Sequence, residues 1–187
     1  MSHNFGITEY QKSVAKELLY KISLVDPSAI LAGGAVRDWY LGNPAKDLDI
    51  YIRCPNHIKL SDKIDMLKKI GLSNAKQLSK NSEENYASVS GLLSVFEGCY
   101  SGVKVNIMFM DLTEIDGISL VENFDCSICE CFMDKDNKYY YSSNFIKTIE
   151  SKVIFVDQRH AGNEPHIVKM ANRFPEYIFA KIIRNNK

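Results

Sequence analysis

Apolar residues recur along this chain in two periods, one helical and one alternating. Ile7, Tyr10, Val14, Leu18 and Ile22 fall at helical spacing and predict a leading helix over residues 7–24, ended by Asp26-Pro27-Ser28. Ile30-Leu31 then runs into Gly33-Gly34, which reads as a buried strand closing in a tight turn where backbone amides are unobstructed. A short helix carrying Arg37 and Asp38 follows, and Gly42-Asn43-Pro44 stops it. Asp47-Leu48-Asp49-Ile50-Tyr51-Ile52 alternates polar and apolar side chains, so it predicts a strand with Asp47 and Asp49 on one face.

The remaining pattern continues the alternation of helices and strands. An amphipathic helix is predicted over residues 57–70, closed by Gly71, and the polar stretch 73–85 reads as a loop. Two strands, 91–97 and 103–110, form a hairpin about residues 98–102. A short helix over 113–122 precedes a strand over 126–133, and Asp134-Lys135-Asp136-Asn137-Lys138 turns the chain into Tyr139-Tyr140-Tyr141 as a second hairpin. A helix over 144–151, a strand over 153–156 and a final helix over 165–183 complete an α/β layout without internal repeats.

Composition narrows the class. With 187 residues, 45% of them hydrophobic, the chain suits one domain with a sizeable core. No apolar run of membrane-spanning length occurs, so no membrane partner is expected, and the amino terminus lacks the pattern of a secretory signal, so a cytoplasmic location is expected. The 23 basic and 23 acidic residues cancel, which argues against binding nucleic acid through bulk charge. Lys169, Arg173, Lys181, Arg184 and Lys187 still form a candidate basic patch, and a solvated helix face explains them equally well. The five cysteines, Cys54, Cys99, Cys126, Cys129 and Cys131, show no regular framework and read as reduced thiols, and Cys126-x-x-Cys129-x-Cys131 reads as buried structural cysteines more readily than as zinc ligands.

The segment from Ile30 to Ile52 carries the chemistry. Two carboxylates two residues apart on a strand sit roughly 7 Å apart at the backbone, so their oxygens can converge on hard cations such as magnesium. Amides at a glycine turn opening a helix suit a phosphate chain. Alone, an Asp-x-Asp strand is more often a solvated face and Gly-Gly only a turn. Combined in one unit, they supply the parts for phosphoryl or nucleotidyl transfer by paired metals.

Gly33-Gly34-Ala35-Val36-Arg37-Asp38, then Leu41-Gly42, then Lys46-Asp47-Leu48-Asp49-Ile50 resembles the head-domain signature of class II tRNA CCA-adding enzymes and bacterial poly(A) polymerases, within the polymerase-β-like nucleotidyltransferase superfamily. The resemblance spans roughly residues 5–175 and is strongest over 30–52. It implies a mixed, mostly antiparallel sheet flanked by helices. It also implies that Asp47 and Asp49 hold two catalytic magnesium ions, that Gly33, Gly34 and Arg37 bind the triphosphate of an NTP, and that Asp38 and Lys46 support this loop. By the same resemblance the chain is one nucleotidyltransferase head, residues 1–187, with 164–187 a rudimentary neck helix.

Three departures from the family pattern stand out. The strand over 103–110 should bring a third carboxylate beside the first two, yet its Lys104/Asn106 face carries no acid; Asn106 is the residue left to contact a metal or metal-bound water. Phe124-Asp125-Cys126-Ser127-Ile128-Cys129 resembles a weakened form of a motif that contacts the nucleotide sugar, keeping Asp125 and Ser127 but not the paired arginines. The segment 163–174 resembles the first neck helix without its base-reading motif. The leading expectation is a magnesium-dependent nucleotidyltransferase acting on an RNA 3′ end, tRNA-like in particular. A toxin-like or small-molecule-modifying transferase and a catalytically degenerate nucleotide- or RNA-binding module stay open beside it. His160 and His166 flank a loop before the final helix, where they could approach phosphates or RNA but more commonly stay at the surface, and Trp39 is expected in the core.

Overall fold

A computed structural model describes residues 2–54, 59–78, 91–111, 115–160 and 164–183. Helix α1 (Ser2–Ser23) leads, and its Val14, Ala15, Leu18, Leu19 and Ile22 are buried at the spacing that makes one stripe. Strand β1 (Ile30–Ala32) runs into the turn at Gly33, whose φ of 77° falls in the left-handed region that glycine adopts without strain. Helix α2 (Gly34–Tyr40) and strand β2 (Leu48–Arg53) complete the motif segment. Then come α3 (Leu60–Lys69), β3 (Ser73–Gln77), β4 (Leu92–Tyr100), β5 (Val103–Met110) and α4 (Gly117–Glu122). The chain ends with β6 (Cys131–Met133), β7 (Tyr139–Tyr141), α5 (Ser143–Ser151), β8 (Val153–Asp157), α6 (Glu164–Arg173) and β9 (Ile178–Ile182).

Seven strands form one mixed sheet in the order β3-β4-β5-β2-β1-β6-β7. Only the β2–β5 pair in it is parallel; the other neighbours are antiparallel. Its two faces carry separate cores, as the two-residue period of a strand requires. Leu31, Ile50, Ile107 and Phe96 pack with the buried stripe of α1 and with Phe145 of α5. Ile30, Tyr51, Met108 and Val95 pack on the opposite face with Val121 of α4, Ile154 of β8 and Met170 of α6. The expected fold class, a mostly antiparallel mixed sheet flanked by helices, is therefore present, with Trp39 in the core. Among the described residues, no helix is long and apolar enough to cross a membrane.

Four expectations need correction. Part of the predicted loop over 73–85 is strand β3, an edge strand exposed on both faces, so no alternation marks it; residues 79–85 lie outside the described part. The hairpin turn is tighter than read: β4 extends to Tyr100 and only Ser101-Gly102 turn, both at positive φ as a two-residue hairpin loop needs. The predicted strand over 126–133 is strand only from Cys131. Before it, Cys126 makes a single bridge to Val156 and residues 127–129 form a 3₁₀ turn, because the buried Ser127 hydroxyl accepts from the Phe155 amide at 2.9 Å and meets Thr148 Oγ1 at 2.6 Å. The final helix stops at Arg173, before Pro175, which cannot donate to a helical ladder and disfavours helix at the residue ahead of it. Residues 178–182 instead form β9, which pairs in parallel with β8 as a separate two-stranded sheet. Of the predicted helix over 113–122, the described part is α4, and residues 113–114 lie outside the described residues. All five cysteines are free thiols, with Cys54, Cys126, Cys129 and Cys131 buried.

Candidate active site

The parallel pairing of β2 with β5 sets the geometry. Asp49 is in register with Asn106, and Asn106 in turn with Glu97 of β4, so these three side chains stand in a row on the face that α4 and α6 cover. Asn106 is buried and its amide donates to Asp49 Oδ1 at 2.8 Å. Glu97 is ion-paired with Lys104 and, at 3.3 Å, with Lys76. The hydrogen bond from Lys104 holds the Glu97 carboxyl below its ordinary range, and Glu97, with lesser help from Asp47 and Asp49, raises the Lys104 ammonium above its own. Glu97 is the acid nearest in register to the expected third carboxylate, one strand further out than the sequence pattern places it.

One cavity gathers most of the expected site residues. Gly34, Arg37 and Asp38 from α2, Lys46, Asp47 and Asp49 from the entry to β2, and Cys129 form its floor, and His166, Lys169, Met170 and Arg173 of α6 form its roof. Asp47 and Asp49 are both half-buried. Asp125 and Ser127 do not line it: Ser127 is fully buried in its bonds to Thr148 and Phe155, and Asp125 lies behind His166, 2.6 Å from its Nδ1. Gly33 supplies a conformation rather than a donor, since its N–H is bonded to the Cys131 carbonyl at 2.8 Å.

Arg37 is buried at the cavity floor with 3% of its surface exposed. Its Nε donates to Asp38 Oδ1 at 2.8 Å, and Nη1 faces the sulfurs of Cys129 and Met170 at 3.2 and 3.4 Å. Burial opposes the guanidinium's charge, but the Cys129 sulfur and the Asp38 carboxylate outweigh it and hold Arg37 protonated above its ordinary value. Asp38 is shared, because Arg173 of α6 donates to its other oxygen at 2.7 Å. Burial likewise pushes the Cys129 thiol up to about 11, against the pull of Arg37.

Among the described residues of this cavity, Asp47 and Asp49 are the donors that suit a hard cation. Asp47 and Asp49 bring carboxylate oxygens to the cavity, the ligands magnesium takes. Asp125, Cys126 and His166 also place one ligand atom each within 4.8 Å of one another, but sulfur and imidazole are soft donors that magnesium avoids. In addition, Asp125 and His166 are already bonded to each other. Two further groups take their place in the cavity from the fold. His166 was expected at the surface, and nothing in the order of residues links it to Asp125, 41 positions away. Lys169 and Arg173 belonged to the candidate basic patch, and only the fold separates them from Lys181 on β9; Arg184 and Lys187 lie outside the described residues.

A family model described as Gad2: Gabija anti-defense 2 family protein matches residues 4–152. No curated protein matches the chain. Among solved structures, it is similar to the Thermotoga maritima CCA-adding enzyme complexed with tRNA, at 15% identity and a TM-score of 0.60 over 88% of this chain and 38% of that one. It is also similar to the Bacillus stearothermophilus CCA-adding enzyme in complex with CTP, at 14% identity and a TM-score of 0.59 over 90% of this chain and 40% of that one. A further CCA-adding enzyme with CTP matches at 15% identity and a TM-score of 0.59, over 88% of this chain and 39% of that one. The chain thus spans about two-fifths of the length of these enzymes. At such identity the likeness shows the fold alone, one shared with these CCA-adding enzymes.

Proposed function

The chain belongs to the Gabija anti-defense 2 family, and from that premise we propose that it is a magnesium-dependent nucleotidyltransferase moving a nucleoside monophosphate from an NTP to an acceptor hydroxyl. The observation that carries this reading is the cavity itself, whose lining joins the carboxylates of Asp47 and Asp49 with Gly34 and the cations of Arg37, Lys46 and Lys169. Asp47 and Asp49 would hold the magnesium ions, which when bound would supply charge neutralisation at the triphosphate and activation of the acceptor oxygen. Asn106 orients Asp49 through its 2.8 Å hydrogen bond. Gly34, Lys46 and Lys169 bind phosphate oxygens, while Asp38 fixes Arg37 and Arg173 and so the spacing between α2 and α6. Asp125 acts through His166 rather than on the nucleotide directly, and Ser127 ties the 3₁₀ turn to α5 and β8.

The described chain corresponds in this reading to one head, with α6 in the place of a first neck helix. The solved relatives carry CTP or tRNA, which supports an NTP substrate and an RNA 3′ end as acceptor. The family's description favours a second acceptor class, a hydroxyl on a component of the defence system that the family is named for opposing. The deciding experiment incubates the purified protein with magnesium, each α-labelled NTP, total bacterial RNA and a clarified bacterial lysate. Label appearing in RNA or protein supports the reading and identifies the acceptor class. Asp47→Ala and Asp49→Ala should each abolish it, and transfer that survives both substitutions overturns the assignment of these carboxylates.

A further inference from the structure

A transferase of this kind must remove a proton from the acceptor hydroxyl, and the row of side chains beside Asp49 has no group for that task. Asn106 stands where a base would be expected, but its amide nitrogen donates to Asp49 Oδ1 and an amide takes up no proton near neutrality. The other cavity groups are committed. Asp47 and Asp49 are the cation ligands of the reading above, and Asp38 is held between Arg37 and Arg173 at 2.8 and 2.7 Å. The Cys129 thiol receives Arg37 Nη1, and Glu97 is occupied by two lysines and does not line the cavity.

Among the described residues that line the cavity, His166 is the imidazole, the group type most often used as a general base. Its Nδ1 lies 2.6 Å from Asp125 Oδ2, and Asp125 is only 4% exposed. A carboxylate can only accept, so Nδ1 carries the hydrogen, and in the neutral ring the lone pair sits on Nε2. The ring lines the same cavity as Asp47 and Asp49. Its backbone is fastened as well, because the far end of α6 is pinned to α2 through Arg173 and Asp38, and buried Met170 packs against Arg37. A buried acid behind an imidazole that faces the reacting space is the arrangement by which a histidine base is oriented.

We propose that His166, positioned by Asp125, is the general base of the transfer; this rests on the nucleotidyltransferase reading. The acceptor O–H proton passes to His166 Nε2 as the acceptor oxygen bonds to the α-phosphorus. The bond from that phosphorus to the bridging oxygen of the β-phosphate breaks, pyrophosphate leaves, and the imidazolium returns its proton to water before the next turnover.

The test uses the full chain with magnesium, the labelled NTP and whichever acceptor the wild type labels in total RNA or lysate. His166→Gln should lower kcat by about 10²- to 10⁴-fold, the usual contribution of a positioned base, with KM for NTP and NTP affinity unchanged within a few-fold. Imidazole added to His166→Gly should restore part of the rate, which decides the matter if His166→Gln does not fold. Asp125→Asn should lower kcat by a smaller factor at unchanged affinity. Nitrogen-15 NMR of the ligand-free protein should show the hydrogen of His166 on Nδ1, and a hydrogen on Nε2 instead overturns the proposal. An active wild type with an equally active His166→Gln, or a His166→Gln defect confined to KM and binding, overturns the base and leaves the transferase reading standing. A wild type that binds NTP and labels nothing overturns both.

Discussion

Replacing Asp38 by asparagine keeps the side chain's shape and removes the one carboxylate that neutralises Arg37. The Arg37 and Asp38 side chains are 4% and 3% exposed, so the substitution strands an almost wholly desolvated guanidinium. Breaking a buried pair by removing one partner costs about 3–5 kcal/mol, because the remaining charge is left desolvated without compensation. For a chain of this size each kcal/mol moves Tm by about 2–4 °C, so Asp38→Asn should lower Tm by about 6–20 °C in a thermal melt followed by far-ultraviolet circular dichroism. Arg173→Ala is the control. Its side chain is 34% exposed, so losing its 2.7 Å bond to Asp38 should cost only about 0–1 kcal/mol, as exposed ion pairs do. Adding Arg37→Met to Asp38→Asn removes the stranded charge and should recover most of the lost stability, since buried pairs are commonly replaceable by apolar residues. The reasoning is refuted if Asp38→Asn costs less than about 1 kcal/mol or no more than Arg173→Ala, or if the double substitution is less stable than Asp38→Asn alone.

Three further outcomes follow from the same geometry. Asn106→Asp sets two carboxylates opposite each other in a β2–β5 pair and loses the donor to Asp49, so Tm should fall in chelator by more than it does in excess magnesium; equal loss in both solutions would show that the pair does not meet a cation. The depressed Glu97 carboxyl adds stability that is present above the ordinary glutamate range, about pH 4.3, and is lost as pH falls through its lower folded value. The raised Lys104 ammonium adds stability that is present below its ordinary range and is lost as pH rises through its higher folded value. Urea unfolding across pH should therefore show both slopes weakened in Lys104→Met, and unchanged slopes would refute the pairing. Alkylation of the native protein at pH 8 should modify Cys99 first and spare Cys126, Cys129 and Cys131, whose thiols burial pushes up, with Cys129 at about 11; peptide mass spectrometry that finds Cys129 labelled before unfolding would contradict this.

Local pattern determined most of the unit from Ile30 to Ile52. A buried strand, a glycine turn, a short helix and an alternating strand each depend on neighbours within a few positions, so the order of apolar and polar residues suffices to place Asp49 on β2 and Arg37 on the intervening helix, although β2 begins at Leu48 and leaves Asp47 just ahead of it. The same holds for β5, whose bounds match the expected strand, and for the tyrosine strand β7. Where polar residues cover both faces, as in β3, or where a hydroxyl captures a backbone amide, as Ser127 does, periodicity carried no warning.

Only the tertiary structure decided which faces meet. The parallel register of β2 and β5 set Asn106 against Asp49, and antiparallel β4 added Glu97 to the row. Pro175 ended α6 early enough for β9 to turn back along β8, and Arg173 bound Asp38 across 135 residues of chain. That docking brought His166 to the buried Asp125 and turned a surface histidine, as the pattern read it, into a wall of the cavity. Periodicity states which side of an element is apolar, but the contact between α6 and the site depends on the path of everything between them. The local sequence therefore brought Gly34, Arg37, Asp47 and Asp49 into one unit, and the fold added α6 with His166 to the cavity they line.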